Sequence, residues 1–93
     1  MIIGTLFVEL RLFGCKSLKN KRSIIKPLLS ALRSKFNISV SEISKLDSLD
    51  TAVIGICCIS NSTKFVNKQL SEIENHFEHL PDILVITIES QVL

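Results

Sequence analysis

Lysine and arginine are the residues of this sequence best placed to do chemistry, because of where they fall. Seven of the eleven lie between Gly14 and Phe36, and from Leu10 to Ser41 there is no Asp or Glu at all. Eight of the nine acids lie from Glu42 onward. A net charge of +2 is too small to mark a polyanion binder, so the lopsided distribution carries the information: it predicts a local positive field. Lys19, Arg22, Lys26 and Arg33 are spaced by three, four and seven residues, which puts them on one flank of a helix. Lys21 joins them at the start of the segment. Ammonium and guanidinium groups in such a row, beside the free amides of a helix start, suit phosphate. No aromatic interleaves them, and the chain has neither Trp nor Tyr. Contact with backbone phosphate, not base stacking, is therefore the expected chemistry.

The other polar candidates point away from catalysis. His76 and His79, with Glu72 and Glu78 nearby, have the types for a weak metal or acid–base site, but imidazoles near a helix C-terminus also suit the helix dipole and are read as solvated. Asp47 and Asp50 bracket a polar turn, where Asp commonly bonds local backbone. Cys15, Cys57 and Cys58 are odd in number and show no C-x-x-C spacing, which argues against a disulfide framework or a zinc site. They read as small buried hydrophobes in a reducing compartment. Glu42 is different, because it sits among apolar strand residues in "FNISVSEI". A carboxylate facing the helices needs a partner, and a structural ion pair with Arg22 or another cation of the basic helix is expected. Arg22 and Lys26 have Glu9 and Glu42 as their prospective acids. No Ser or Cys has a base at a recognisable spacing, and there is no glycine-rich phosphate loop. The expected protein is not an enzyme, and neither cofactor nor metal is expected.

The elements that must position these residues follow from periodicity. Ninety-three residues suffice for one domain, 1–93, burying about 60–65% of its unfolded surface. Residues 2–13 alternate with period two and read as a strand. Ser17 is placed to cap a helix beginning at Leu18, whose apolar stripe of Leu18, Ile25, Leu29, Leu32 and Phe36 faces the core. Pro27 lies inside it, so a kink is expected, a break being the alternative. Asn37 is expected to stop the helix in a left-handed conformation. A strand over 38–46, with a bulge where the alternation slips between Val40 and Ile43, leads through "DSLD" to the apolar strand 51–60. A second helix spans 63–79, with Val66, Leu70, Ile73 and Phe77 on one face, and a final strand spans 83–92.

The order βαββαβ predicts an α+β, ferredoxin-like fold: a four-stranded antiparallel sheet in the order 4-1-3-2 with both helices on one face. The uncovered face would carry Ile3, Phe7 and Phe13 from the first strand and Ile83 and Val85 from the last, an apolar patch that predicts a homodimer or higher oligomer. No apolar run reaches the ~18 residues of a membrane span, and the first residues lack the basic n-region of a signal peptide. A cytoplasmic protein without a membrane role is expected.

The segments "SLKNKRSIIKPLL" and "KFNISVSEI", with Asp47 and the strand ending "ISNS", resemble the YlxP-like proteins, a bacterial family of unknown function. Their pattern maps onto Ser17, Leu18, Lys19, Lys21, Arg22, Phe36, Asn37, Ser39, Val40, Glu42 and Asp47. Asn20 stands where an acid is common, and Leu49 where an aromatic often follows the Asp. The resemblance implies a ferredoxin-like fold. The family's genes often neighbour those of translation factors and ribosome maturation, which implies RNA or a ribosomal particle as partner. The expectation is a non-enzymatic RNA- or ribosome-associated domain that binds phosphate through Lys19, Lys21, Arg22, Lys26 and Arg33. The alternative is a homo-oligomeric protein-interaction module that uses the apolar sheet face and has no nucleic-acid role.

Overall fold

Alternation in the first strand and a period near 3.6 in the helices give each element one apolar side, and the fold follows from burying those sides together. The computed structural model describes all 93 residues. It contains β1 (Ile2–Leu12), α1 (Leu18–Lys35), β2 (Ser39–Ser44), β3 (Thr51–Ser60), α2 (Thr63–Phe77) and β4 (Ile83–Val92). The strands form one antiparallel sheet with neighbours β2-β3-β1-β4, the expected ferredoxin-like order. Leu6, Val8, Leu10 and Leu12 of β1 face α1 and α2 and merge with Leu32, Ile73 and Phe77 in a single core. Close approach of α2 to β1 depends on Gly4, where an added Cβ would lie 2.5 Å from Val66 Cγ1.

Ser17 caps α1 as expected, its hydroxyl accepting from the Asn20 amide at 3.0 Å, and Ser62 caps α2 by accepting from the Phe65 amide at 3.2 Å. Pro27 does not break α1, which runs through it to Lys35. Its ring is on the exposed side, where the carbonyl left without a donor can take water. The helix does not end in a left-handed Asn37. Phe36 takes an extended conformation while its amide still donates to the Leu32 carbonyl, and burying its ring redirects the chain into β2. The left-handed residues are Lys45 and Asp82, at φ 57° and 59°, where the chain leaves β2 and enters β4.

The bulge in β2 falls between Glu42 and Ser44, so the slip in the apolar pattern marked a real irregularity. A second bulge, in the β1–β4 ladder between Glu9 and Leu10, reassigns the faces of β4. Ile83 pairs with Leu12 and Val85 with Leu10, so both pack on the helix side and not on the uncovered face as expected. Leu84, opposite Arg11, takes their place there. Ile3, Phe7 and Phe13 do lie on the uncovered side, across the sheet from Leu6, Val8 and Leu12. Cys57 is exposed and Cys58 buried, as a vicinal pair in a strand requires; the exposed thiol departs from the expectation that all three are buried.

Candidate functional site

The first turns of α1 and the β2–β3 loop meet over one end of the sheet, and most of the unusual charged residues meet there. Leu18, Lys21, Arg22, Glu42, Leu46 and Asp47 line a cleft of about 340 Å³. Its floor is made by Lys21, whose side chain is 3% exposed. The Lys21 Nζ donates to the carbonyl oxygens of Lys45 and Thr51, both at 2.8 Å. It also lies 2.9 Å from Glu42 Oε2, an ion-pair contact whose angles fall short of a hydrogen bond. A lysine with these three partners is structural: it fastens both ends of the β2–β3 loop to α1 and neutralises the strand carboxylate. Lys21 is therefore removed from the expected phosphate-binding set. Glu42 is in the expected ion pair, with Lys21 in place of Arg22.

The physical reason was present in the sequence. Counting about 100° per residue from Leu18, Lys21 falls near 300°, inside the apolar sector that also holds Ile25, Leu28 and Leu32. A cation in that sector has to find a buried partner or move out of it. Lys45, not recognised from sequence, is the partner of Glu9, Nζ to Oε2 3.1 Å. Sequence gave no signal for it, since the contact joins the loop after β2 to the middle of β1.

Lys21–Glu42 and Lys45–Glu9 are the two ion pairs of the fold. Glu9 and Glu42, the acids expected opposite Arg22 and Lys26, are thus engaged elsewhere, and Asp47, which lines the same cleft as Arg22, forms no ion pair. Lys19, Arg22 and Lys26 are exposed and carry no ion pair, and the first turn of α1 holds no acid. Arg22 and Lys26, with Ser23, Pro27 and Ser30, line a shallow hollow on the outer side of α1. Arg33 leaves the set in a different way: its Nη2 donates to the Val40 carbonyl at 3.0 Å and ties α1 to β2. The cation row is shortened from four residues to three, Lys19 to Lys26, about 10 Å at ~1.5 Å rise per residue. That length can follow a few phosphates of a nucleic-acid backbone.

The other candidates are not brought into a site. Asp50 accepts from the Ser48 and Thr51 hydroxyls at 3.0 and 3.2 Å, and these bonds hold its carboxyl below the usual carboxylate range. It serves the turn. His76 is partly buried beside Phe77, its ring edge-on at 6.5 Å. Burial, aided by the positive charge of Lys35, lowers its pKa. His79 is exposed, and no three His, Cys, Asp or Glu side chains gather anywhere in the fold. No helix is long and apolar enough to cross a membrane.

Comparison with known proteins places these residues in a recognised sequence pattern. Residues 3–90 match the model of a family described as "Protein of unknown function (DUF503)". The chain is 32% identical over 82 residues to "Uncharacterized protein YlxP" of Bacillus subtilis (strain 168), an alignment covering 88% of this chain and 89% of that protein. Among solved structures, a dimeric ferredoxin-like protein from an uncultured marine organism superposes with a TM-score of 0.52 at 9% identity, covering 100% of this chain and 96% of the other. At that identity the likeness is one of fold.

Proposed function

The chain belongs to the DUF503 family of proteins of unknown function, and we propose for it a non-enzymatic role as an RNA- or ribosome-associated domain that holds backbone phosphate at the start of α1. Lys19, Arg22 and Lys26 make the contacts. Lys21 supports them from below by fixing the loop opposite, and Arg33 contributes only to the field. One observation carries this reading: three exposed cations share one flank of a helix start and none of them is in an ion pair, while Glu9 and Glu42 are paired to other lysines. A design serving stability alone would place acids in that first turn, where cations oppose the helix dipole by a few tenths of a kcal/mol each. The arrangement supplies charge and no base-reading group, so binding is expected to be salt-sensitive and tolerant of sequence.

Co-sedimentation of the protein with ribosomal particles on gradients at low and high salt tests this role. Association at low salt that is lost at high salt is expected, and absence from every particle at low salt would overturn it. A second reading, self-association, is favoured by the exposed Phe7, Phe13, Ile59 and Leu84. The fold is also similar to that of a solved ferredoxin-like protein described as dimeric.

A further inference from the structure

The face of the sheet opposite the helices has its own surface features. Phe7, Phe13, Ile43, Ile59 and Leu84 are between 38% and 62% exposed, and none is covered by another element. Gly55 sits beside Phe7 in the ladder. With no side chain there, Ile43 closes from one side and Thr5, Phe7 and Cys57 line the rest of a groove of about 400 Å³. Two charges on this face have no ion-pair partner within the chain. Arg11 lies over the Phe13 ring, 5.8 Å from its centroid, and belongs to neither ion pair of the fold. Glu89 lies opposite Phe7.

Resting on the self-association reading, we infer that this face is the contact surface for a second copy of the chain, packed face to face about a two-fold axis that crosses β1 near Glu9. Arg11 and the Phe7–Glu89 row are four residues apart along β1, about 13 Å at ~3.3 Å per residue. A two-fold midway between them, lying between the sheets and across the strands, brings each Arg11 opposite Phe7 of the second copy and beside its Glu89. A guanidinium can span the ~10 Å between packed sheets. The same axis carries Phe13, four residues beyond Glu9, to the level of Thr5 of the second copy, at the mouth of the groove over Gly55. Charge pairing and apolar insertion are thus satisfied by one operation. Glu9, at the axis, arrives already neutralised by Lys45. Four strands at ~4.8 Å spacing, three of them ten or eleven residues long and β2 six, present roughly 600 Å² before side-chain relief is counted, approaching the ~800 Å² per partner of a standard interface.

Sedimentation equilibrium on nuclease-treated protein tests this. The wild type is expected to be a dimer at tens of micromolar; a monomer there would overturn self-association itself. Arg11→Glu places like charges together and is expected to weaken the dimer about tenfold or more. Phe13→Asp, at a position 51% exposed, is expected to do the same without disturbing the core, as circular dichroism will verify. The exchanged variant Arg11→Glu with Glu89→Arg is expected to recover dimerisation, and because the two residues do not pair within one chain the recovery must come across the interface. A wild-type dimer indifferent to Arg11→Glu and Phe13→Asp, or one that the exchange fails to restore, would overturn the face-to-face geometry while leaving self-association standing.

Discussion

Replacing Lys21 by Met keeps most of the volume of its stem and deletes the ammonium. Three partners are then affected at once: the Lys45 and Thr51 carbonyls lose donors at 2.8 Å, and Glu42 loses its counter-ion at 2.9 Å. Removing one member of a buried pair costs about 3–5 kcal/mol. Glu42 keeps 18% of its side chain in solvent and can recover part of its hydration, which places the loss near the lower end, at about 3 kcal/mol. With a urea m-value of about 1–1.5 kcal/mol/M the midpoint should fall by roughly 2–3 M at unchanged slope. Adding Glu42→Leu removes the stranded carboxylate, so the double variant should be more stable than Lys21→Met alone, a coupling that only a direct pair gives. Equilibrium urea unfolding followed by circular dichroism measures both. A loss below about 1 kcal/mol, or a double variant no better than the single, would refute the buried structural role of Lys21 and return it to the surface set.

Two further perturbations test the packing and the titration. Gly4→Ala pushes a methyl toward Val66 Cγ1 at 2.5 Å and Leu70 Cδ1 at 3.2 Å, so thermal unfolding should show a loss of about 1–3 kcal/mol from overpacking. His76 has its folded-state pKa lowered by burial and by Lys35, so the unfolded chain takes up the proton first on acidification. The stability it contributes is full above its unfolded value near 6.5 and declines as pH falls below it. Two-dimensional NMR should give His76 a midpoint below the ordinary imidazole value near 6.5, and His76→Gln should flatten the stability profile in that range; a midpoint at or above that value would contradict the burial effect.

Most of the fold was legible because its signals are local and periodic. Ser17 before Leu18, the apolar rows of α1 and α2, and the unbroken apolar run of β3 each require only neighbouring residues to be interpreted. The errors lie where a long-range pairing decides. The faces of β4 depend on a bulge opposite Glu9, and nothing in "ILVITIES" indicates which of its two alternating sets faces the helices. Asn37 was a plausible helix stop by type, but Phe36 could reach the core only through an extended turn. In the site, the charges were legible and their assignments were not. Lys21 and Arg33 look like surface cations until the carbonyls of β2 and of the β2–β3 loop come within reach. Only the helical angle of Lys21 hinted at burial.

The most direct measurement of phosphate binding at the start of α1 is the salt dependence of affinity for a labelled single-stranded RNA, followed by fluorescence anisotropy. The wild type is compared with a variant carrying Lys19→Ala, Arg22→Ala and Lys26→Ala. At ~0.7 per phosphate contact on a single strand, losing three contacts should reduce the slope of log K against log salt by about 2 and weaken binding across unrelated sequences alike. No binding by the wild type at low salt, or parallel slopes for the two proteins, would contradict a phosphate site at Lys19, Arg22 and Lys26.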